Sequence, residues 1–306
     1  MKTDYDVIVI GAGPAGLTAG MYLSRAKMNT LILNQGAVGG QTVLTHKVAN
    51  YPGIESINGF QLARTMKAQA KSFGCTIKSN IKITNLRLEG PIKKVETNNK
   101  NSYSAKAVIL ATGGRSRSLG VAGEEDYKGQ GISYCATCDG DFFQDKEIIV
   151  VGGGNSALEE AVSLTKYASK VTVVHQFDHF QAFEHAVKEA KNNPKIDFIM
   201  ESTIVEFSGD DQLTGVKIKN LKTGKISYKQ IDGVFILIGY VPNTELFENI
   251  ISTNERNEII VNQDLETNIE GVYSAGDANA KKYRQITTAV ADGTIAALNV
   301  MEYLHD

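Results

Sequence analysis

The 306-residue chain is 42% hydrophobic and 22% charged, with 29 glycines, three cysteines and a net charge of −2. Those proportions exclude a disordered or collagen-like chain, and the charge balance carries no polyanion-binding signature, so nucleic acid is not an expected partner. No apolar run approaches the ~18 residues of a membrane-spanning helix, and three cysteines cannot staple a chain this long. At ~100–200 residues per domain the length suggests two domains, and the glycine excess over the usual ~7% hints at backbone-dense ligand sites. The start, Met1-Lys2-Thr3-Asp4, lacks signal-peptide architecture, so the expected location is cytoplasmic.

In chain order, Tyr5-Asp6-Val7-Ile8-Val9-Ile10 predicts a buried strand running into Gly11-Ala12-Gly13-Pro14-Ala15-Gly16. A helix from Leu17 to Arg25 and a strand over Thr30-Leu31-Ile32-Leu33 follow. Val108-Ile109-Leu110 is a further apolar strand, ending in Ala111-Thr112-Gly113-Gly114. The first pattern then repeats about 140 residues on. Glu147-Ile148-Ile149-Val150-Val151 meets Gly152-Gly153-Gly154-Asn155-Ser156-Ala157, a helix to Thr165, and the strand Lys170–Val174. Val234–Ile238 ends at Gly239, and Gly271-Val272-Tyr273-Ser274-Ala275-Gly276-Asp277 precedes a helix from about Gln285 to Tyr303. That helix sets Ile286, Ala289, Val290, Gly293, Ala297 and Val300 on one face. The order predicts an α/β chain with two Rossmann-like three-layer dinucleotide-binding domains, the second inserted into the first. The expected bounds are 1–115 and 246–306 for the first domain, and 116–245 for the insert.

Each glycine turn follows a parallel strand and opens a helix, the context in which G-x-G-x-x-G/A lets backbone approach a pyrophosphate at the helix N-terminus. An acid after the second strand commonly binds ribose; here Asn34-Gln35-Gly36 holds none, so the turn does not say which dinucleotide. Cys135-Ala136-Thr137-Cys138-Asp139 is the sharpest feature. Thiols two residues apart can close a disulfide and reopen it by exchange, and Asp139 could move a proton to or from a departing thiolate. Tetrahedral zinc would want four ligands, and Cys75 alone cannot supply the second pair; haem attachment would need His where Asp139 stands. A structural buried pair is the remaining alternative. Cys75 itself reads as a small core or surface residue. His175, Asp178, His179 and His185 cluster in sequence, but a strand end followed by an irregular stretch aligns no metal face, so a solvated loop without metal is expected.

These motifs in this order resemble the low-molecular-weight thioredoxin reductases over nearly the whole chain. The resemblance rests on Gly11–Gly16, Gly39-Gly40-Gln41, Asn50-Tyr51-Pro52-Gly53, Ala111-Thr112-Gly113, Cys135–Gly140, Gly152–Ala157, Ala275-Gly276-Asp277 and Arg284-Gln285. It implies a flavoprotein that reduces thioredoxin, with FAD in the first domain, redox cysteines in the insert, a homodimer and an interdomain rotation. It implies an FAD site of Gly11, Gly13, Pro14, Ala15, Gly16, Gly40, Gln41, Asn50, Ala111, Thr112, Gly113, Gly276, Asp277, Arg284, Gln285 and Ile286. Asp277 would accept a ribityl hydroxyl, and the helix starting near Gln285 would offer its positive end to the flavin pyrimidine. Cys138 would face the flavin and Cys135 attack the partner disulfide.

The family recognises the 2′-phosphate of NADPH with His-Arg-Arg and an Arg four residues on. The matching positions are His175, Gln176, Phe177 and Gln181, so the guanidinium fork is missing. At roughly 1.5–3 kcal/mol per charge-assisted contact, NADPH is not the expected donor. Here the chain is similar to the ferredoxin-dependent flavin thioredoxin reductase branch, which implies reduced ferredoxin as donor. Lys281, Lys282 and Arg284 are docking candidates, a solvated loop explaining them equally well. The second glycine turn would then be an inherited scaffold. NADH is the next donor, with Asp178 a late candidate for its ribose, and weakened NADPH use follows. Other functional readings are a peroxiredoxin- or glutaredoxin-type disulfide partner, or a flavin-bound redox sensor.

Overall fold

The computed structural model describes residues 2–45 and 48–305. It divides into two compact units, Met1–Arg115 with Val241–Asp306 and Ser116–Tyr240. The chain therefore returns at 240/241, five residues before the 245/246 bound read from sequence. Local pairing explains the difference. The Asn243 amide donates to the Thr112 carbonyl at 2.9 Å, its backbone N–H donates to the Gly113 carbonyl, and Phe247 is fully buried in the first unit's core.

In the first unit, β1 (Val7–Ile10) is wholly buried and leads through the glycine turn into α1 (Pro14–Arg25). Pro14 opens that helix, where a missing N–H costs nothing and its fixed φ suits the first turn. Then come β2 (Thr30–Leu33), α2 (Gly59–Ser72) and β3 (Thr76–Lys78). The Asn58 side chain caps α2 by accepting from the Phe60 N–H. An antiparallel sheet of β4 (Ile83–Arg87), β5 (Lys93–Thr97) and β6 (Ser102–Ala105) precedes β7 (Ala107–Leu110) and the exit strand β8 (Gly114–Ser116).

The second unit runs β9 (Ile132–Ser133), the single turn α3 (Ala136–Asp139), β10 (Glu147–Val151), α4 (Asn155–Leu164) and β11 (Lys170–Val174). It continues with α5 (Glu184–Asn192), β12 (Ile196–Ile199) and an antiparallel sheet of β13 (Ser202–Gly209), β14 (Leu213–Asn220) and β15 (Ile226–Gln230). Strand β16 (Gly233–Ile236) completes this unit, and β17 (Tyr240–Pro242) leads back. Strand β18 (Val272–Ser274) and α6 (Ile286–His305) then finish the first unit.

Both central sheets are five-stranded and parallel, ordered β18-β7-β1-β2-β3 and β12-β11-β10-β16-β9. Each is thus a Rossmann-like α/β unit, and each glycine turn leaves the carboxyl end of a central strand, where such sheets bind ligands. Apolar clusters cover both faces of each sheet, which is why these strands read as continuous hydrophobic runs. In α6, Ala289, Gly293, Ala297 and Val300 are buried as the spacing predicts, and a Cβ on Gly293 would collide with the Ala15 carbonyl of α1. Only glycine permits that helix–helix approach.

Candidate active site: a dithiol turn and two glycine turns

Cys135 and Cys138 lie at the start and within the turn α3 and form a disulfide, with Cα atoms 5.3 Å apart. Around it the second unit supplies a compact polar network. The Ser133 hydroxyl donates to Asp139 Oδ2 at 2.6 Å and accepts from the Cys135 N–H at 3.1 Å. The Cys138 N–H points to Cys135 Sγ at 3.2 Å, and Glu160 Oε2 of α4 accepts from the Ala136 N–H at 3.0 Å. Burial pushes the Asp139 carboxyl above the ordinary carboxylate range, with Ser133 opposing and Asp141 adding to the rise. A carboxyl so placed can hold a proton close to a cleaving S–S bond. The remaining thiol, Cys75, is buried in the core of the first unit, where burial pushes its pKa up to about 11. It is a packing residue.

The residues expected around a dinucleotide converge in the first unit at the carboxyl ends of β1, β7 and β18. Gly11, at φ +109°, has no room for a Cβ beside the Ala111 carbonyl, and Gly16 packs on the Gly11 carbonyl and the Ala111 methyl. Gly13 differs, because the nearest atom to a Cβ there is Gly40 Cα at 4.0 Å, leaving open space over the turn. The Gly39 N–H donates to the Ala12 carbonyl at 2.7 Å, which holds the 40–44 turn with Gly40 and the exposed Gln41 against this loop. Thr112 and Gly113 bond with Asn243, and Gly276 packs near Ala15 while its N–H donates to Asp292 at 2.9 Å. Asn50 donates to the Gln285 side chain at 3.2 Å, just before Ile286 opens α6.

Asp277 is the most telling group. Its Oδ1 is buried without a hydrogen-bond partner among the described residues, and burial pushes its pKa up to about 6 despite nearby Lys281 and Arg284. An orphaned acceptor beside an open glycine turn fits a ligand that brings hydroxyl donors and a pyrophosphate. The basic run beside it is committed elsewhere. Lys281 pairs with Asp292 at 2.5 Å and Arg284 with Glu258, both with well-covered side chains, so Lys282 is what the docking candidates leave exposed.

The second glycine turn is built on the same plan, with Gly152 at φ +141° against the Leu237 carbonyl. The segment after β11 departs from the sequence expectation of a solvated loop. His175 is 4% exposed, its ring occupies the space a Gly153 Cβ would need, and it stacks on Phe180 with centroids 5.8 Å apart. Its Nε2 is buried without a partner among the described residues, and burial holds its pKa below the ordinary imidazole value. Gln181 donates its N–H to the Gly153 carbonyl at 2.8 Å, and Asn155 Oδ1 accepts from the Phe183 N–H at 2.7 Å. Gln176, Phe177, Asp178 and His179 are exposed, and His185 sits in the first turn of α5 rather than in irregular chain. No metal-binding group of His, Cys, Asp and Glu occurs among the described residues.

Ser133, Glu160, Asn243 and Asp292 were not singled out from sequence. Each lies far along the chain from one partner or sits on a different element, and only the position of Ser133 at the end of β9, two residues before Cys135, is a local signal.

The family model for pyridine nucleotide-disulphide oxidoreductases matches residues 5–293. The thioredoxin reductase of Listeria monocytogenes is 45% identical over 99% of this chain and 94% of that protein. That of Bacillus subtilis is also 45% identical, over 99% and 95%. The crystal structure of thioredoxin reductase from Streptococcus pyogenes superposes with a TM-score of 0.95 at 43% identity, covering 98% of each chain. A dithiol turn in one Rossmann-like unit, an open glycine turn in the other and similarity along the whole chain agree: the chain belongs to the pyridine nucleotide-disulphide oxidoreductases and, within them, to the low-molecular-weight thioredoxin reductases, flavoprotein disulfide reductases.

Proposed function

We propose that the protein reduces the disulfide of thioredoxin through FAD and the Cys135–Cys138 pair, with reduced ferredoxin rather than NADPH as electron source. The observation that carries the reading is the disulfide held between Ser133, Asp139 and Glu160 in a chain of this family. FAD, when bound, supplies a two-electron carrier. Gly11, Gly13, Pro14, Ala15 and Gly16 would cradle its pyrophosphate, and the Asp277 carboxylate would accept a ribityl hydroxyl, which relieves the orphaned Oδ1. The start of α6 at Ile286, with Gln285 before it, would favour negative charge on the ring by its helix dipole.

Reduction of the pair adds two electrons and two protons, breaks the S–S bond and leaves two thiols. Asp139 gives a proton to the sulfur that departs. Cys135 then attacks the partner disulfide as thiolate, forming a mixed disulfide and expelling the partner's first thiolate. Cys138 resolves the mixed disulfide, so the partner leaves as a dithiol and the enzyme's disulfide reforms. This order of the sulfurs follows the family resemblance.

The donor assignment rests on Gln176, Phe177 and Gln181, which stand where the family places arginines. An exposed Phe177 stacked on His179, centroids 5.9 Å apart, offers no charge to a phosphate dianion. NADH is the second reading, favoured by the intact glycine turn and the exposed Asp178. Anaerobic bleaching of the flavin band by ferredoxin, NADH and NADPH in parallel tests this. Fast bleaching by ferredoxin and slow bleaching by NADPH are expected; stoichiometric bleaching by NADPH within mixing time would overturn the assignment. The exposed Phe60, Ile295 and Leu298 of the first unit support a homodimer, checked by light scattering of the flavin-loaded protein.

A further inference from the structure

Ala136 is the first residue of the turn that Cys135 caps. In a thiol-capped turn the backbone N–H groups that follow are the natural donors to a thiolate, and they lower its pKa. Here the Cys138 N–H fills that role at 3.2 Å, and the Ala136 N–H, the first of the turn, donates to the Glu160 carboxyl at 3.0 Å. The residue next to Cys135 thus holds a buried carboxyl group beside the sulfur's own turn. Glu160 reaches it from α4, an element whose start is the second glycine turn.

We propose that Glu160 is a positioning residue for the dithiol: bound to the Ala136 N–H, it disfavours the Cys135 thiolate and keeps the reduced pair in the protonated, strongly reducing form. The inference rests on the redox pair named above. A reduced form stabilised as thiolate makes a dithiol pair more oxidising, so withholding that stabilisation favours electron transfer outward. The charged neighbours act in the same direction. Asp141 just after the turn, Glu159 beside Glu160 and, once it has given up its proton, Asp139 are acidic, and burial itself pushes the Glu160 carboxyl up while the Ala136 N–H pulls it down. In the two-electron, two-proton reduction the S–S bond breaks and each sulfur ends with one proton; any reductant of dithiol or phosphine class can supply the electrons in an assay.

Glu160→Gln keeps an oxygen on the Ala136 N–H but removes the charge, whereas Glu160→Ala removes both. Flavin-loaded protein of each form, reduced with an immobilised phosphine, is treated with iodoacetamide across pH 5–9, and Cys135 modification is read by peptide mass spectrometry. Both variants are expected to alkylate Cys135 three- to tenfold faster than the parent at pH 7. Their equilibrium with glutathione should move about tenfold toward the dithiol, a potential less negative by about 30 mV. A profile for Glu160→Gln that superposes on the parent, whatever Glu160→Ala does to thermal stability, overturns the proposal. Failure of the underlying reading looks different, because phosphine treatment would then release no pair of thiols at Cys135 and Cys138.

Discussion

The two glycine turns are near copies in sequence and differ in what the rest of each unit does to them. In both, the first glycine has positive φ and lies against a carbonyl of the neighbouring strand's end, Ala111 in one and Leu237 in the other. The residue following the second strand decides what comes next. Asn34 sends its Oδ1 to the Ala12 N–H at 3.0 Å and leaves Gly13 open. His175 lays its ring against Gly153, and the chain after it bonds back onto the turn through Gln181 and Phe183. Both turns leave room at the second glycine of the motif, Gly13 and Gly154, so what differs is the neighbour: an orphaned carboxyl, Asp277, by the first turn and the ring of His175 against the second. A shared motif marks a backbone geometry; its use depends on one side chain some 20 residues away.

The largest effect expected separates the units by chemistry. Cys135→Ser or Cys138→Ser should lower thioredoxin reduction by at least about a thousandfold while the flavin spectrum stays, read by steady-state turnover and absorbance. Appreciable turnover in either would remove the second unit from the reaction.

Asp277 gives the next effect, and its sign follows from linkage. Its folded pKa of about 6 lies above the ordinary ~3.9, so its ionisation costs the flavin-free protein about 3 kcal/mol at neutral pH. That cost is absent below about pH 4, where the carboxyl is protonated in both the folded and unfolded chain, and reaches its full size as pH rises through 6. Flavin-free Asp277→Asn should therefore melt higher than the parent at pH 7.5, lose the advantage at pH 4, and bind FAD more weakly, by calorimetry.

Two alanines probe the neighbours of the turns, at the second motif glycine of the first and at Gly153 of the second, which stands where the first turn has Ala12. Gly13→Ala enters open space, so the unfolding free energy should hold within about ±0.5 kcal/mol while FAD affinity falls. Gly153→Ala meets the His175 ring and should cost about 1–3 kcal/mol, partly recovered when combined with His175→Ala. Equal losses of FAD and stability in both would erase the distinction. The smallest effect is at the core thiol: Cys75, with its pKa near 11, should resist iodoacetamide in the native protein at pH 8 while the reduced pair reacts.

Local patterns were legible because their physics is local. A buried strand, a glycine turn and a helix follow one another within about 20 residues, and the Cys135–Cys138 spacing confines the two sulfurs to one turn of chain. The same holds for the spaced small residues of α6, which mark its packing face. The second crossing is not legible in Val241–Glu245, which carries no composition change; the side-chain bond from Asn243 to the Thr112 carbonyl ties that stretch to the first unit. His175 looked like the head of a solvated loop, and its neighbours at 176–179 are exposed, but the strand end drives its own ring into the core.

By itself, the sequence determined the two Rossmann-like units, the insertion of one in the other, the dithiol and the family, since each is written in short-range spacing or in similarity along the whole chain. Tertiary structure alone decided that Glu160 reaches the turn from another helix, that Lys281 and Arg284 are spent on internal acids, and that an orphaned carboxyl lies by one glycine turn and a histidine ring against the other. Those outcomes depend on which distant side chains share a buried space, and burial without a partner, as at Asp277 and His175, has no signature along the chain.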